Sequence, residues 1–299
     1  MIAPLFLAGQ TASGKTAVAL ELAKRFESVE IINADAFQIY RGLEILTAAP
    51  SGEELAACPH HLFGVLDPSE ECDAATFSGR AKQTIADVGT RALPIVVSGS
   101  GLYSKAITHG LAPTPKADPE LRAELDALTL DALVERYRSL DPDGAEATNL
   151  LNRRYITRNL EISILAGRPA SEIKAEWADN QPDIRAIYLE RTREDIYARI
   201  DQRTEVMFAS GVVDEVAGLG DLSSTAEKTI GLREIQDLIA GGSDRETCIA
   251  AIQQATRRYA KRQEMWFRRE EAFTRIPVAP GDSAELIADR VVAAIPLPA

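Results

Sequence analysis

The sequence predicts an α/β fold, a P-loop NTPase-like parallel sheet flanked by helices, with a helical insertion domain. Three observations carry this. Gly9-Gln10-Thr11-Ala12-Ser13-Gly14-Lys15-Thr16 matches the phosphate-cradling pattern G-x-x-x-x-G-K-[ST]. An apolar stretch of strand length, residues 2–8, precedes it, and a helix-patterned stretch with Val18, Leu22 and Phe26 follows. From residue 113 to 182, after Pro113, Pro115 and Pro119, apolar positions recur at helical spacing with no β-rich run. The expected division is a core of 1–112 with 183–299 and an insertion of 113–182.

Bulk properties narrow the function. The chain has 299 residues and 45% hydrophobic content, enough for a sizeable core. A net charge of −12 argues against blanket nucleic-acid binding, so an RNA partner would need a local basic surface. Cys58, Cys72 and Cys248 are odd in number and scattered, which fits a reducing cytoplasm and no disulfide framework. No signal peptide is visible, and no apolar run approaches the ~20 residues of a membrane span.

Taken in order, the glycine turn after the first strand aims backbone N–H groups and a helix N-terminus at one point, a site for phosphate oxygens. Lys15 would meet the terminal phosphate and the Thr16 hydroxyl a Mg²⁺ ion. Residues 29–33 read as a second strand, and Asp35 leaves its carboxyl end, where ligands of parallel sheets collect. A carboxylate there can take a proton from a nucleophile; it can equally cap a helix or sit solvated in a loop. The segment 40–68 reads as loop. Its Cys58, His60 and His61, with Cys72 beyond, match no standard zinc spacing, and the ordinary reading is one packed and one backbone-bonded histidine. A helix is expected over 74–89 and a third strand over 93–97, ending in Ser98-Gly99-Ser100-Gly101. That strand lacks the terminal Asp with which Walker-type ATPases hold magnesium, which counts against an ordinary ATPase.

In the insertion, Arg153, Arg154 and Arg158 suit phosphate contacts, or a solvated face paired with acids. Residues 184–189 return to the sheet, 195–219 read as one amphipathic helix, and another opens near Thr229. The longest helical pattern, 246–271, carries Arg257, Arg258, Lys261, Arg262, Arg268 and Arg269 with Tyr259, Trp266 and Phe267 interleaved. Such a mixture suits an RNA surface, or a core face with solvated cations. Residues 284–295 read as a packing helix.

Seven stretches together resemble the tRNA dimethylallyltransferase (tRNA isopentenyltransferase) family: GQTASGKT at 9–16, DAFQIY at 35–40, HHL at 60–62, SGSGLY at 98–103, NRRYITRNLE at 152–161, IGLRE at 230–234 and AKRQEMW at 260–266. The resemblance runs the full chain. It implies transfer of the five-carbon group of dimethylallyl diphosphate to N6 of the adenine 3′-adjacent to the anticodon in tRNA. It implies Asp35 as general base, with Lys15, Thr11 and Ser100 near the reacting centre. Gly9, Gln10, Thr11, Ala12, Ser13, Gly14, Lys15, Thr16 and Lys228 would hold the diphosphate, and Thr16 the Mg²⁺. The tRNA anticodon stem-loop would meet Asp35, Ala36, Phe37, Gln38, Ser100, Arg122, Arg154, Tyr155, Ile156, Thr157, Arg158, Lys261 and Arg262. A cytoplasmic monomer is expected. The chain departs from the family pattern at Gln10 (Pro), Ala36 (Ser), Leu46 (Gly), Ala49 (Lys), Ser98 (Gly), Ser100 (Thr), Lys228 (Arg) and Leu232 (Tyr), changes that bear on prenyl specificity and tRNA affinity. The competing readings are an adenylate isopentenyltransferase, which would lack the insertion, a small-molecule P-loop kinase, and a catalytically weakened RNA-binding homologue.

Overall fold

The computed structural model describes residues 1–178 and 184–295. The chain divides into two compact units, Met1–Thr108 with Asp183–Ala299 and His109–Pro182. The expected return point at 182–183 lies outside the described residues.

In the first unit, β1 (Leu5–Gly9) is buried at every position. The chain then turns through Gly14, whose φ of 91° lies in the left-handed region that favours glycine, into α1 (Lys15–Ala23). Val18, Ala19 and Leu22 of α1 face the core. After β2 (Val29–Ala34), the stretch expected to be loop holds α2 (Glu44–Thr47), α3 (Gly52–Ala57) and the two-residue edge strand β3 (His60–His61). A capping box starts α3: the Glu54 amide donates to Ser51 Oγ at 3.2 Å and the Ser51 amide to Glu54 Oε2 at 2.7 Å. Asp73 caps α4 (Ala74–Val88), and β4 (Leu93–Ser98) leads into α5 (Gly101–Thr108).

The described residues of the second unit form helices and no strand: α6 (Pro119–Ala127), α7 (Leu130–Leu140), α8 (Pro142–Ala147), α9 (Arg153–Ala166) and α10 (Ala170–Ala178). Leu125, Leu133, Tyr137, Ile156 and Leu160 form its core.

The chain re-enters the first unit with β5 (Arg185–Arg191), followed by α11 (Arg193–Ala209) and α12 (Val212–Ala217). The single helix expected over 195–219 is thus two, because Gly211 at φ 92° breaks the run. A 3₁₀ turn (Ala226–Lys228), α13 (Leu232–Ile239) and α14 (Arg245–Phe267) come next. Then β6 (Thr274–Val278), which the sequence reading passed over, and α15 (Ala284–Ala294) complete the unit. Pro277 within β6 is tolerated because the strand lies at the sheet edge.

The six strands run β3-β2-β4-β1-β5-β6, and every neighbouring pair is parallel. Alternation splits the core. Leu5, Leu7, Ile31 and Ile95 pack under α1 and α15, while Phe6, Ile32 and Val96 pack with Phe77 of α4 and Phe267 of α14. Burial of such side chains stabilises by about 1.5–3 kcal/mol each, and here it fixes which strand ends stand side by side.

Candidate active site

Register builds the site. Ala8 pairs with Ser98, and Ser98 with Ala34. One residue further, Gly9, Gly99 and Asp35 emerge together at the carboxyl edge of the sheet. The phosphate loop is clamped from behind. Arg191 Nε donates to Ser13 O at 2.9 Å and Arg199 Nε to Ala12 O at 2.6 Å. Gln10 Nε2 donates to Ala260 O at 3.1 Å. Gln263 of α14 bridges two edges, accepting from the Thr11 amide at 2.7 Å and donating to Gly99 O at 2.6 Å. With the loop carbonyls engaged, the first amides of α1, which have no intrahelical partner, are left for an anion.

Lys15 Nζ donates to Gly9 O at 3.0 Å and Gln10 O at 2.8 Å. An ammonium has three donors, so one remains for a ligand. Burial brings its pKa down to about 8; the nearby Asp35 carboxylate opposes this and Arg203 adds to it. Asp35 is held by its neighbours. Its amide donates to Asn33 Oδ1 at 2.7 Å, and its Oδ1 accepts from the Phe37 amide at 3.0 Å. Its other oxygen is free to face the site. A Cβ placed on Gly99 would lie 2.9 Å from Gln263 Nε2, 3.2 Å from Asp35 Oδ2 and 3.6 Å from Lys15 Nζ, so three functional groups converge on one point.

Two clefts meet at this point. One, of about 780 Å³, is lined by Gly14, Lys15, Thr16 and Gly99 and forms a cradle over the P-loop. The other, of about 470 Å³, is mainly apolar on one side, with Phe37, Leu46, Met207, Ile230 and Ile252. Thr11, Asp35, Thr47 and Arg203 line both. Arg203 Nε is buried and has no hydrogen-bond partner among the described residues. Burial lowers its pKa, opposed by Asp35. Tyr259 lines the second cleft, and burial raises its hydroxyl.

The expected site residues separate. Thr11, Ala12, Gly14, Lys15, Thr16, Asp35 and Gln38 line the cradle, and Phe37 the adjoining cleft. Ser13 is buried behind the loop, and Gly9 and Gln10 supply the carbonyls that hold Lys15. Gln38 Nε2 is already engaged, donating to Thr47 O at 3.1 Å and Ala48 O at 3.0 Å. Ala36 is partly exposed in the turn beside Asp35. Ser100 heads α5, its carbonyl accepting from the Ser104 amide, and Gly99 rather than Ser100 lines the cradle.

Lys228, expected at the diphosphate, does not line the cradle. The 3₁₀ turn buries Ala226 and Thr229 and turns Lys228 outward, into a separate basic cleft of about 680 Å³ with Arg233, Arg258 and Arg262. The cation that faces the cradle from this part of the chain is Arg203. Lys261 and Arg262 are exposed on α14, Arg262 lying 5.6 Å from the Tyr259 ring centroid. Arg257 and Arg268 pair with Asp201 and Glu264.

In the helical unit the basic cluster divides likewise. Arg122 and Arg158 both pair with the fully buried Glu161. Arg153 donates to the carbonyls of Leu125, Asp126 and Leu128 that end α6. Arg154 and Tyr155 are exposed. Ile156 and Thr157 are buried, so their side chains belong to the core and not to an outer binding face. The histidines follow the ordinary reading in part: His60 Nδ1 bonds the backbone Cys58 O at 2.7 Å, whereas His61 Nε2 bonds a carboxylate, Glu30 Oε2, at 2.6 Å.

Sequence reasoning missed Gln263, Arg203 and Tyr259 as site residues. For Gln263 a signal existed, an uncharged residue inside the cationic run of α14. Arg203 carried none, because α11 mixes both charges along its length.

Comparison with known proteins identifies the family. Residues 38–270 match the family described as IPP transferase. A tRNA dimethylallyltransferase of Akkermansia muciniphila is 41% identical, over 96% of this chain and 98% of its own length. The crystal structure of a tRNA isopentenylpyrophosphate transferase from Bacillus halodurans is similar with a TM-score of 0.70 at 31% identity, covering 98% of this chain and 96% of that one. A tRNA delta(2)-isopentenylpyrophosphate transferase from Staphylococcus epidermidis is similar with a TM-score of 0.68 at 29% identity, covering 97% and 98%. A P-loop sheet whose cradle opens beside a cleft walled on one side by apolar side chains, matched at this length and identity, makes the chain a member of the IPP transferase family, the tRNA dimethylallyltransferases.

Proposed function

We propose that this chain is a tRNA-modifying prenyltransferase that moves the dimethylallyl group of dimethylallyl diphosphate onto N6 of the adenine 3′-adjacent to the anticodon. The observation that carries this reading is the place of Asp35, on the border between a cradle built for diphosphate and a cleft suited to hydrocarbon. The donor's diphosphate lies on the α1 amides and Lys15, and its hydrocarbon lies along Leu46, Met207 and Ile252. N6 attacks C1 of the donor, the C1–O bond breaks, and the diphosphate leaves with the bonding pair. Asp35 Oδ2 accepts the proton that N6 loses. Lys15 and Arg203 stabilise the charge that develops on the leaving oxygen. The adenine must leave the stacked loop to reach this point.

A Mg²⁺ ion fits the donor set. Thr16, Asp35 and Glu54 line the cradle, and no cluster of three or more His, Cys, Asp or Glu side chains among the described residues forms a protein-only metal site. Mg²⁺ held by one hydroxyl, diphosphate oxygens and water suits so sparse a set, and it would supply further charge neutralisation on the diphosphate. The exposed Arg154, Lys261 and Arg262 supply contacts to tRNA phosphates. No helix of the described residues is long and apolar enough to cross a membrane. The proposed setting is a cytoplasmic monomer.

Incubation with dimethylallyl diphosphate, Mg²⁺ and unmodified tRNA, followed by nucleoside mass analysis, tests the reading. One isoprene unit added to a single adenosine is expected. ATP turnover without prenylation would instead establish a kinase, and prenylation of free AMP but not tRNA would establish an adenylate isopentenyltransferase.

A further inference from the structure

The second cleft is bounded on its apolar side by Leu46 of α2, Met207 of α11 and Ile252 of α14, all buried, with Asp35, Arg203 and Tyr259 lining the remainder. A Cβ on Gly231 would lie 3.0 Å from Leu46 Cδ1 and 3.5 Å from Ile252 Cδ1. The tips of Leu46 and Ile252 therefore rest on bare backbone, where no side chain can swing aside to lengthen the cleft.

Leu46 itself cannot retreat. The amides of Ile45 and Leu46 donate to the two carboxylate oxygens of Glu215, at 2.7 and 2.8 Å. Gln38 Nε2 holds the carbonyls at the other end of this short helix, those of Thr47 and Ala48. Three threonines beside this wall add no free donor: Thr47, Thr229 and Thr256 give their hydroxyl protons to the carbonyls of Leu43, Ala226 and Ile252. The wall is thus pinned and offers a hydrocarbon surface.

We infer that Leu46, closed against Gly231 and Ile252, sets the length limit of the prenyl donor. With C1 fixed beside Asp35, the methyl ends of a dimethylallyl group reach this wall. A second isoprene unit would have to occupy the space of Leu46 Cδ1 or the Gly231 backbone. The inference rests on the prenyltransferase reading above and concerns this chain alone: Leu46 stands where the family pattern has Gly, so the limit it sets is this chain's own.

The test is competition between dimethylallyl and geranyl diphosphate on tRNA, with products resolved by nucleoside mass. Wild type should favour dimethylallyl by at least about 100-fold in kcat/KM. Leu46→Ala, which removes three carbons from the wall, should raise the geranyl-to-dimethylallyl ratio by about 10-fold or more, while dimethylallyl transfer falls several-fold. Ile252→Val should shift the ratio in the same direction by less. A wild-type measurement guards against misfolded variants: geranyl diphosphate should compete with dimethylallyl diphosphate no better than inorganic pyrophosphate does. Equal use of both donors by wild type, tight competition by geranyl diphosphate, or an unchanged ratio in an active Leu46→Ala enzyme would overturn the limit while leaving the prenyltransferase reading intact. Failure of wild type to use dimethylallyl diphosphate at all would sink that reading and the limit with it.

Discussion

Two pairs of cations, one pair in each unit, are used in opposite ways. In the helical unit, Arg122 and Arg158 converge on Glu161, which is inaccessible to solvent. Burial works to raise that carboxyl, but the two guanidiniums outweigh it and hold it below the usual range. In the sheet unit, Lys15 and Arg203 are pulled down by burial, and Asp35 only partly offsets this. A cation answered by its own chain holds a fold together; one buried without a full answer is poised for an anion from outside.

Several measurements would break or sharpen this contrast. The largest effect should come from Asp35→Asn, which should lower kcat by about 10³-fold while the melting temperature stays within a few degrees; near-normal turnover would remove Asp35 as the base. Next, Glu161→Gln leaves two guanidiniums facing a neutral amide and should destabilise the helical unit by about 3 kcal/mol, read by denaturant unfolding. Because the Glu161 carboxyl is held low when folded, its contribution is complete above the ordinary carboxylate range and is lost as pH falls through the folded value. Loss of wild-type stability in acid should therefore flatten in this variant.

Arg203→Ala should cost about 10²-fold in kcat/KM with no loss of thermal stability, since the unpartnered Nε leaves with it; a large drop in melting temperature would place Arg203 among the structural cations. Pyrophosphate affinity should be full below pH 8 and decline above it, by at most about tenfold per pH unit, as Lys15 loses its proton near pH 8 in the free protein. Calorimetry in buffers of different ionisation enthalpy should show proton uptake on binding; uptake that is absent at pH 8–9 would contradict the lowered Lys15. The smallest effect is Arg154→Ala, a few-fold weaker tRNA binding with a log–log salt slope shallower by about 1. Arg158→Ala should instead appear as lost stability, because its guanidinium serves Glu161 and Pro115 O.

What could be read from sequence was what neighbouring residues encode. The phosphate loop is eight consecutive residues whose glycines dictate the turn, and Asp35 follows from the rule for strand ends. What escaped depended on distant packing. Whether Lys228 or Arg203 faces the cradle is decided by a 3₁₀ turn and by the face that α11 buries, neither visible in spacing. The cationic cluster around Arg154 looked uniform, yet Glu161 and the end of α6 take three of its neighbours inward. β6 hid because its outward positions are polar and it carries Pro277. α2, four residues long, has no period to detect, although it carries part of the apolar wall of the second cleft.

Gln263 ties the amide of Thr11 to the carbonyl of Gly99 across 252 positions of sequence. A chain emerging from the ribosome therefore owns its phosphate loop almost at once but lacks the brace that shapes it until nearly the whole molecule has been made. Stalled nascent chains of increasing length should stay blind to pyrophosphate until α14 is free to fold, and then gain binding in a single step. Premature grip at short lengths would mean the loop is self-sufficient and the brace a late refinement.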